Sequence, residues 1–167
     1  LDIPSATIDP SHIPIFIEAE NETVKGIGNV KFSLHICYPR RMIPGKNSYE
    51  LLFPDLLNLD KRIDHLSLEL ANGSQYSSDL APFARYQNQR KFEIGLGVVD
   101  ITKERETKGL IETPEQVRDR ILLAANILKD PCLVYVAPDC GLRQLSLERA
   151  LRLYDVIVKG AELARRR

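Results

Sequence analysis

The chain has 167 residues, of which 44% are hydrophobic, and this is enough for one domain with a real core. Twenty-three Lys and Arg balance 23 Asp and Glu, so no broad positive field is available for non-specific nucleic-acid binding. No apolar run approaches the roughly 20 residues of a membrane span, and three Cys are too few for a disulfide framework. The composition therefore indicates a globular, cytoplasmic protein with reduced thiols and without a nucleic-acid or membrane partner.

The first half of the chain predicts one strand end and two alternating strands. Residues 1–4 are typical of a strand end, and the stretch rich in Pro and charge at residues 9–22 is expected to be mobile. Residues 30–37 alternate, with apolar side chains on one face and polar ones on the other. Residues 64–70 alternate in the same way, and residues 51–59 between them predict one or two helical turns.

The second half predicts two more strands and two helices. Residues 92–100 form a strand with two internal glycines, which indicate a close approach of another part of the backbone. Thr113, followed three residues later by Gln116, is the N-cap of a helix. Residues 132–137 predict a buried strand, so that its first residue, a cysteine, is expected in the core. Ser146 caps the last helix.

Strands that alternate with helical or crossover segments are typical of α/β proteins with parallel strands. A complete (β/α)₈ barrel needs about 250 residues, so the sequence predicts the C-terminal part of a TIM barrel. We expect residues 1–167 to be a single domain from which the N-terminal strands are missing. These strands would come from the N-terminal half of the same barrel or from another chain.

Imidazole and thiol groups cluster at the predicted ends of the strands. His35 and Cys37 are two residues apart in one strand, so their side chains point to the same side. Cys140 directly follows another strand, Glu69 lies near the end of a third, and parallel strands of a barrel deliver their C-terminal ends to one rim. Two thiolates, an imidazole and a carboxylate make a tetrahedral zinc shell. The alternative is that these residues bind no metal. A buried Cys more often fills space in the core, and a Glu near a strand end is usually solvated or paired with a cation.

Four motifs resemble the C-terminal catalytic barrel of cobalamin-independent methionine synthase. They are HICY at 35–38, the strand DHLSLE that ends at Glu69, GVVDITKE at 97–104 and VAPDCGL at 136–142. The resemblance covers most of residues 30–163 and is particularly close to the short, core-type members of bacteria and archaea. It implies a zinc ion with four protein ligands, namely His35, Cys37, Glu69 and Cys140.

The resemblance also implies a methyltransferase. Coordination to zinc removes the proton of a thiol whose ordinary pKa is about 8.5, and the resulting thiolate attacks a methyl group. In the family the thiol belongs to homocysteine, the donor is the N5-methyl of a reduced folate, and the product is methionine. Asp2 corresponds to the family's Asp-Glu-Pro strand, with Ile in place of the Glu, and is the candidate for holding the amino group of the substrate.

One departure from the family bears on the methyl donor. Thr102 stands where the full-length enzymes have a His after Gly-Val-x-Asp-Ile that is thought to handle the proton delivered to the folate nitrogen. Core-type relatives share such a change, and for them a methylated corrinoid or its carrier protein is a possible donor. The donor is therefore either a methylated folate or a corrinoid.

Two further readings stay open. The first is zinc-dependent alkyl transfer to another thiol such as coenzyme M, since zinc activates any thiolate and the ligand set does not name the substrate. The second is a non-catalytic chain in which zinc is structural or absent. Metal content distinguishes the non-catalytic chain from the two kinds of enzyme. Thiol alkylation assays with homocysteine and coenzyme M distinguish the homocysteine methyltransferase from an enzyme that alkylates another thiol.

Overall fold

A sheet of four parallel strands, in the order β1-β2-β3-β4, forms the centre of the molecule. The computed structural model describes five stretches of the chain, residues 9–38, 48–71, 76–101, 112–143 and 145–166. The strands are β1 (Phe32–Ile36), β2 (Ile63–Leu68), β3 (Glu93–Gly97) and β4 (Val134–Ala137). Parallel pairing between strands that follow one another in the chain requires a crossover each time, and this confirms the predicted α/β class.

Helices cover one side of the sheet, and those between β2 and β4 lie in the crossovers. They are α1 (Ile13–Val24), α2 (Tyr76–Arg85), α3 (Pro114–Leu128) and α4 (Leu147–Arg165). The predicted N-cap of α3 is confirmed, since the Thr113 hydroxyl accepts from Gln116 N and the Gln116 side chain accepts from Thr113 N. A Cβ at Gly160 would lie 2.4 Å from Val117 Cγ1, so glycine is what allows α3 and α4 to pack this closely. No helix in the five described stretches is long and apolar enough to cross a membrane.

The two faces of the sheet differ, as the alternation predicts. The side chains that point toward the helices are apolar and fully buried, namely Leu34, Ile36, Leu66, Leu68, Ile94 and Leu96. The opposite face carries the polar residues of the same strands, where Ser33 Oγ lies 2.6 Å from His65 Nδ1. In a parallel barrel such a face points to the barrel interior. The helix-facing side therefore holds the core, and the polar side presents the candidate site.

The N-terminal stretch is helical, so the expectation of a mobile segment is wrong. The Asp9 carboxylate accepts from Ser11 N at 2.9 Å and starts a 3₁₀ turn at Pro10–His12 that leads into α1. On α1, Ile13 and Ile17 are buried together one helical turn apart. The prolines at the beginning of this segment favour helix initiation, because the first turn does not need their missing N–H groups.

A 3₁₀ turn at Pro131–Leu133 precedes β4, so this strand begins two residues later than predicted. The Asp130 carboxylate caps the turn by accepting from Cys132 N at 3.0 Å. Cys132 is exposed, and its predicted place in the core is wrong. The 3₁₀ turns at Tyr49–Leu52 and Asp55–Asn58 confirm the helical turns that were predicted between β1 and β2.

Candidate metal centre

Three of the four predicted ligands meet at the C-terminal end of the sheet. His35 belongs to β1, Cys37 follows that strand directly, and Cys140 lies three residues after β4. Cys37 Sγ and Cys140 Sγ each lie 3.5 Å from His35 Nε2. The three ligand atoms lie within 4.8 Å of one another, and neither sulfur is part of a disulfide.

The convergence of these residues requires a curved sheet. Strands in a sheet are about 4.8 Å apart, so the outer strands of a flat four-stranded sheet are separated by about 14 Å. His35 lies on the first strand of the order and Cys140 follows the fourth, yet their side chains lie 3.5 Å apart. The sheet and the loop at residues 138–140 therefore bend toward the polar face, in the direction in which a barrel closes.

The donor set and its spacing fit zinc. Zinc bonds of about 2.05 Å to nitrogen and 2.3 Å to sulfur at the tetrahedral angle place the two donor atoms about 3.6 Å apart. Both observed distances from Sγ to His35 Nε2 are 3.5 Å. Two thiols and an imidazole also favour zinc over Mg²⁺ and Ca²⁺, which prefer oxygen ligands. Cys37, Cys140 and His35 are partly buried and so are partly shielded from water.

The orientation of the His35 ring follows from its neighbour in the sheet. His35 and Ser67 are partners in the register of β1 and β2, and His35 Nδ1 lies 3.5 Å from Ser67 Oγ. Nε2 is therefore the nitrogen that faces the two sulfurs. Histidines that bind metals usually engage a second group through the other ring nitrogen, which fixes the ring and its tautomer.

Glu69, the fourth predicted ligand, lies one residue after β2 and beside Cys37. Its Oε2 accepts a hydrogen bond from Tyr38 N at 2.9 Å. Within the described residues, the ligand atoms that lie mutually close are those of His35, Cys37 and Cys140, and the Glu69 carboxylate is not among them. The structure thus gives three converging donors, with Glu69 held at their edge by the backbone that follows Cys37.

Tyr49 joins the ends of β1 and β2, a role that the sequence did not reveal. Its hydroxyl donates to Ile36 O at 3.0 Å and accepts from Glu69 N at 2.9 Å. Burial raises the pKa of Tyr49 well above its ordinary value, so the hydroxyl keeps the proton that it donates. Ser48, which caps the short turn by accepting from Glu50 N, was the local signal that a turn begins here and not two residues later.

Acidic side chains lie buried near the same rim. Asp139, which precedes Cys140, is fully buried, and this burial raises its pKa to about 7. Its Oδ1 accepts from Leu70 N and Ala71 N at 2.9 and 2.6 Å, and these two bonds act in the opposite direction, lowering the pKa. Asp139 is part of the VAPDCGL motif, but the spacing of the motif does not predict what its carboxylate binds.

A second buried group lies at the end of β3. The Glu112 carboxylate accepts from Asp100 N at 3.3 Å, and Arg120 Nη1 donates to Glu112 Oε1 at 2.9 Å and to Val98 O at 2.6 Å. Arg120 therefore offsets the charge of a carboxylate that is only 7% exposed. This contact ties the end of β3 to the beginning of α3.

Two residues singled out from the sequence lie outside the described residues. They are Asp2, the candidate contact for the substrate amino group, and Thr102, which replaces the His of the full-length enzymes. The predicted strand end at residues 1–4 lies outside them as well.

Comparisons with known proteins show the family to which the chain belongs. Residues 21–163 match the family model described as the catalytic domain of cobalamin-independent synthase. Proteins named methionine synthase from Thermococcus kodakarensis and Sulfurisphaera tokodaii are each 33% identical over 99% of this chain. The chain spans 43% and 42% of these two relatives, so it corresponds to less than half of their length.

A solved structure shows the same fold. It is a B12-independent methionine synthase from a Shewanella species in complex with selenomethionine, with a TM-score of 0.77 and 23% sequence identity. The match covers 99% of this chain and 47% of that one. The four parallel strands are therefore part of a TIM barrel, and the predicted fold class is confirmed. The family match over residues 21–163 shows that the chain belongs to the cobalamin-independent synthase catalytic domain family.

Proposed function

We propose that this chain forms the zinc-binding part of a methyltransferase that moves a methyl group to the thiol of homocysteine and produces methionine. The observation that carries the proposal is the position of two thiols, each 3.5 Å from His35 Nε2, in a member of this family. Relatives named methionine synthase support the choice of reaction. The methyl donor is a methylated folate or a corrinoid.

The residues of this chain have distinct parts in the proposed reaction. His35, Cys37 and Cys140 would hold zinc, and Ser67 fixes the imidazole ring through its contact with Nδ1. Zinc held there would lower the pKa of a substrate thiol from about 8.5 and so would supply a thiolate at neutral pH. Glu69 is the fourth, exchangeable ligand in this proposal, since its carboxylate lies next to Cys37 through the bond with Tyr38 N.

Substrate specificity is assigned to two residues on the basis of the family resemblance. Asp2 would hold the amino group of homocysteine, because a carboxylate pairs with an ammonium group. Thr102 has no group with a pKa near neutrality, so it does not deliver a proton to a folate nitrogen as a His could. Because of this difference, a methylated corrinoid or its carrier protein is proposed as an alternative methyl donor to methylfolate.

Zinc content and X-ray absorption test the proposed function. We expect one zinc ion per chain, with sulfur, nitrogen and oxygen neighbours, and replacement of the oxygen by sulfur when homocysteine is added. Homoserine, which carries a hydroxyl in place of the thiol, is the matched control and should leave the spectrum unchanged. Coenzyme M in a parallel titration separates a homocysteine site from a general thiol site. A protein that takes up no zinc, or whose zinc spectrum ignores homocysteine, contradicts the proposal.

We also propose that residues 1–167 are one domain, the C-terminal half of a barrel, which is completed by the N-terminal half or by another chain. Among the described strands, β1 and β4 each pair on one side only. An apolar stripe on α4, which we call the α4 stripe, is between 47% and 75% exposed and comprises Leu147, Leu151, Tyr154 and Val158. A groove between β4, α3 and α4 adjoins this region and is lined by apolar side chains such as Ile121 and Val136.

Sedimentation of the 167-residue chain tests this second proposal. Open parallel edges and an apolar stripe favour association, so we expect species larger than a monomer at micromolar concentration. Leu151→Glu places a charge in the α4 stripe and should shift the distribution toward the monomer. Leu123→Glu is the matched control, because Leu123 is an exposed leucine on α3 outside the stripe. If the unsubstituted 167-residue chain stays monomeric at every concentration, the open edges of β1 and β4 need no partner and the proposal is wrong.

A further inference from the structure

The Asp139 side chain crosses the sheet between strands that are not neighbours. Asp139 follows β4, whereas the two N–H groups that donate to its Oδ1 belong to Leu70 and Ala71, which follow β2. β3 lies between these two strands. The carboxylate therefore reaches over the end of β3, and a single oxygen atom ties two strand ends together.

Gly97 makes this crossing possible. It is the last residue of β3, and a Cβ built on it would lie 2.3 Å from Asp139 Oδ1 and 2.6 Å from Leu68 O. Any side chain at this position would occupy the path of the carboxylate. Asp139 N in turn donates to Val99 O at 3.1 Å, so the backbone of Asp139 is held to β3 while its side chain passes to β2.

The burial of Asp139 is expensive, and packing alone does not account for it. The residue is fully buried, and its Oδ2 makes no hydrogen bond to any part of the chain that the structure describes. A buried polar atom without a partner costs free energy and is uncommon in native proteins. A hydrophobic residue of similar size would avoid that cost, but it could not accept the two N–H groups after β2.

The residues next to these contacts belong to the candidate metal centre. Leu70 follows Glu69, and Cys140 follows Asp139. The Tyr49 hydroxyl continues the connection from Glu69 N to Ile36 O, next to Cys37. Two side chains thus link the three strand ends that carry the thiols and the carboxylate.

We propose that Asp139, crossing β3 at Gly97, is a positioning residue that holds Cys140 at the correct distance from His35 and Cys37. It touches neither zinc nor substrate, and it acts through the backbone on both sides of the candidate centre. The consequence for zinc affinity rests on the proposed function. The spacing of the two thiols does not, so the two can be tested separately.

Two probes and two variants of Asp139 provide the test. Phenylarsine oxide bridges two neighbouring thiols without any metal, and zinc reports the complete donor set. Asp139→Ala should greatly reduce the bridging of Cys37 and Cys140 by the arsenical and should weaken zinc binding by about 10- to 100-fold, as is typical for outer-shell changes. Asp139→Asn keeps an oxygen that accepts both N–H groups, so it should remain close to the parent in both measurements.

Control variants separate positioning from general stability. Asp130 also accepts a backbone N–H, but from Cys132 at the other end of β4. Asp130→Ala should therefore lower the melting temperature and leave the arsenical and zinc results unchanged. Gly97→Ala, which puts a methyl group in the path of the carboxylate, should reproduce the loss seen in Asp139→Ala.

The outcomes distinguish the inference from the proposed function. A folded Asp139→Ala protein with parental arsenical bridging would overturn the positioning role, as would an Asp139→Asn protein as defective as Asp139→Ala. If Asp139→Ala does not fold, the test rests on Gly97→Ala. Arsenical bridging of Cys37 and Cys140 in that variant at the level of the parent chain would overturn the inference. If the parent chain binds the arsenical but no zinc, and Asp139→Ala loses the bridging, the positioning role is supported and the proposed function is wrong.

Discussion

Cys140→Ser is expected to abolish zinc binding and, with it, methyl transfer. The Cys140 sulfur lies 3.5 Å from His35 Nε2, the distance that two donors of one tetrahedral zinc ion adopt. A serine hydroxyl stays protonated near neutral pH and is a poor ligand for a borderline-soft metal. The loss in zinc affinity should exceed the roughly 100-fold that an outer-shell change produces. Zinc stoichiometry after gel filtration and a competitive chelator titration measure it.

The chain contains its own control for this experiment. Cys132 is the remaining cysteine of the chain and lies exposed in the turn before β4, at the opposite end of that strand from Cys140. Cys132→Ser should keep the full zinc content and affinity, whereas Cys37→Ser should lose both, since Cys37 Sγ is also 3.5 Å from His35 Nε2. If Cys140→Ser retains zinc and activity at parental levels, the metal assignment is wrong.

The sequence was sufficient for those features that repeat at a local period. The alternation in residues 30–37 and 64–70 predicted β1 and β2 and the faces of their side chains, and Thr113 and Ser146 predicted where α3 and α4 begin. These signals are local, because a strand has a period of two and an N-cap bonds to residues two or three positions away. The helix α1 was missed, since its prolines and charges obscured a narrow buried face.

The approach of His35 to Cys37 could also be predicted, whereas the approach of Cys140 depends on the whole sheet. Residues two apart in a strand share a face, and parallel strands end at one rim, so the sequence placed all three on the same side. Their actual proximity requires the curvature that brings the ends of the outer strands together. That curvature arises from packing among many residues and has no local signature.

Long-range hydrogen bonds were the features that the sequence could not assign. Tyr49 binds Glu69, 20 residues away, and Asp139 binds Leu70, 69 residues away. The two glycines in residues 92–100 did indicate a close backbone approach, and Gly97 confirms this through its contact with Asp139. The glycines predicted that another part of the chain lies close to β3, but only the structure shows that the Asp139 side chain does so.

Glu69→Gln provides the sharpest test of whether the candidate centre is catalytic or structural. Zinc with four permanent protein ligands has no open position, so a substrate thiolate can enter only if one ligand leaves. The carboxylate is the best candidate, because zinc in such mixed sites holds thiolate and imidazole more firmly than oxygen. The structure supports this choice, since Cys37, Cys140 and His35 form a group without Glu69.

We expect the Glu69→Gln protein to keep its zinc and to bind homocysteine differently. The Gln oxygen can still accept from Tyr38 N, the bond that Glu69 Oε2 makes at 2.9 Å, so the rim should retain its shape. A neutral amide competes less well for zinc than a carboxylate does, and the exchange of oxygen for sulfur should therefore occur at a lower homocysteine concentration. Titration followed by X-ray absorption measures this concentration in the parent and the variant.

Glu93→Gln is the matched control for the Glu69 experiment. Glu93 lies at the N-terminal end of β3, near Lys31, so its replacement removes one negative charge from the opposite end of the strands. That variant should titrate with homocysteine as the parent does. If Glu69→Gln loses zinc as completely as Cys37→Ser, the carboxylate is a permanent ligand and the centre is structural. Retained zinc with an altered homocysteine titration is the result that an exchangeable ligand requires, because a ligand that leaves affects substrate entry without being needed to keep the metal.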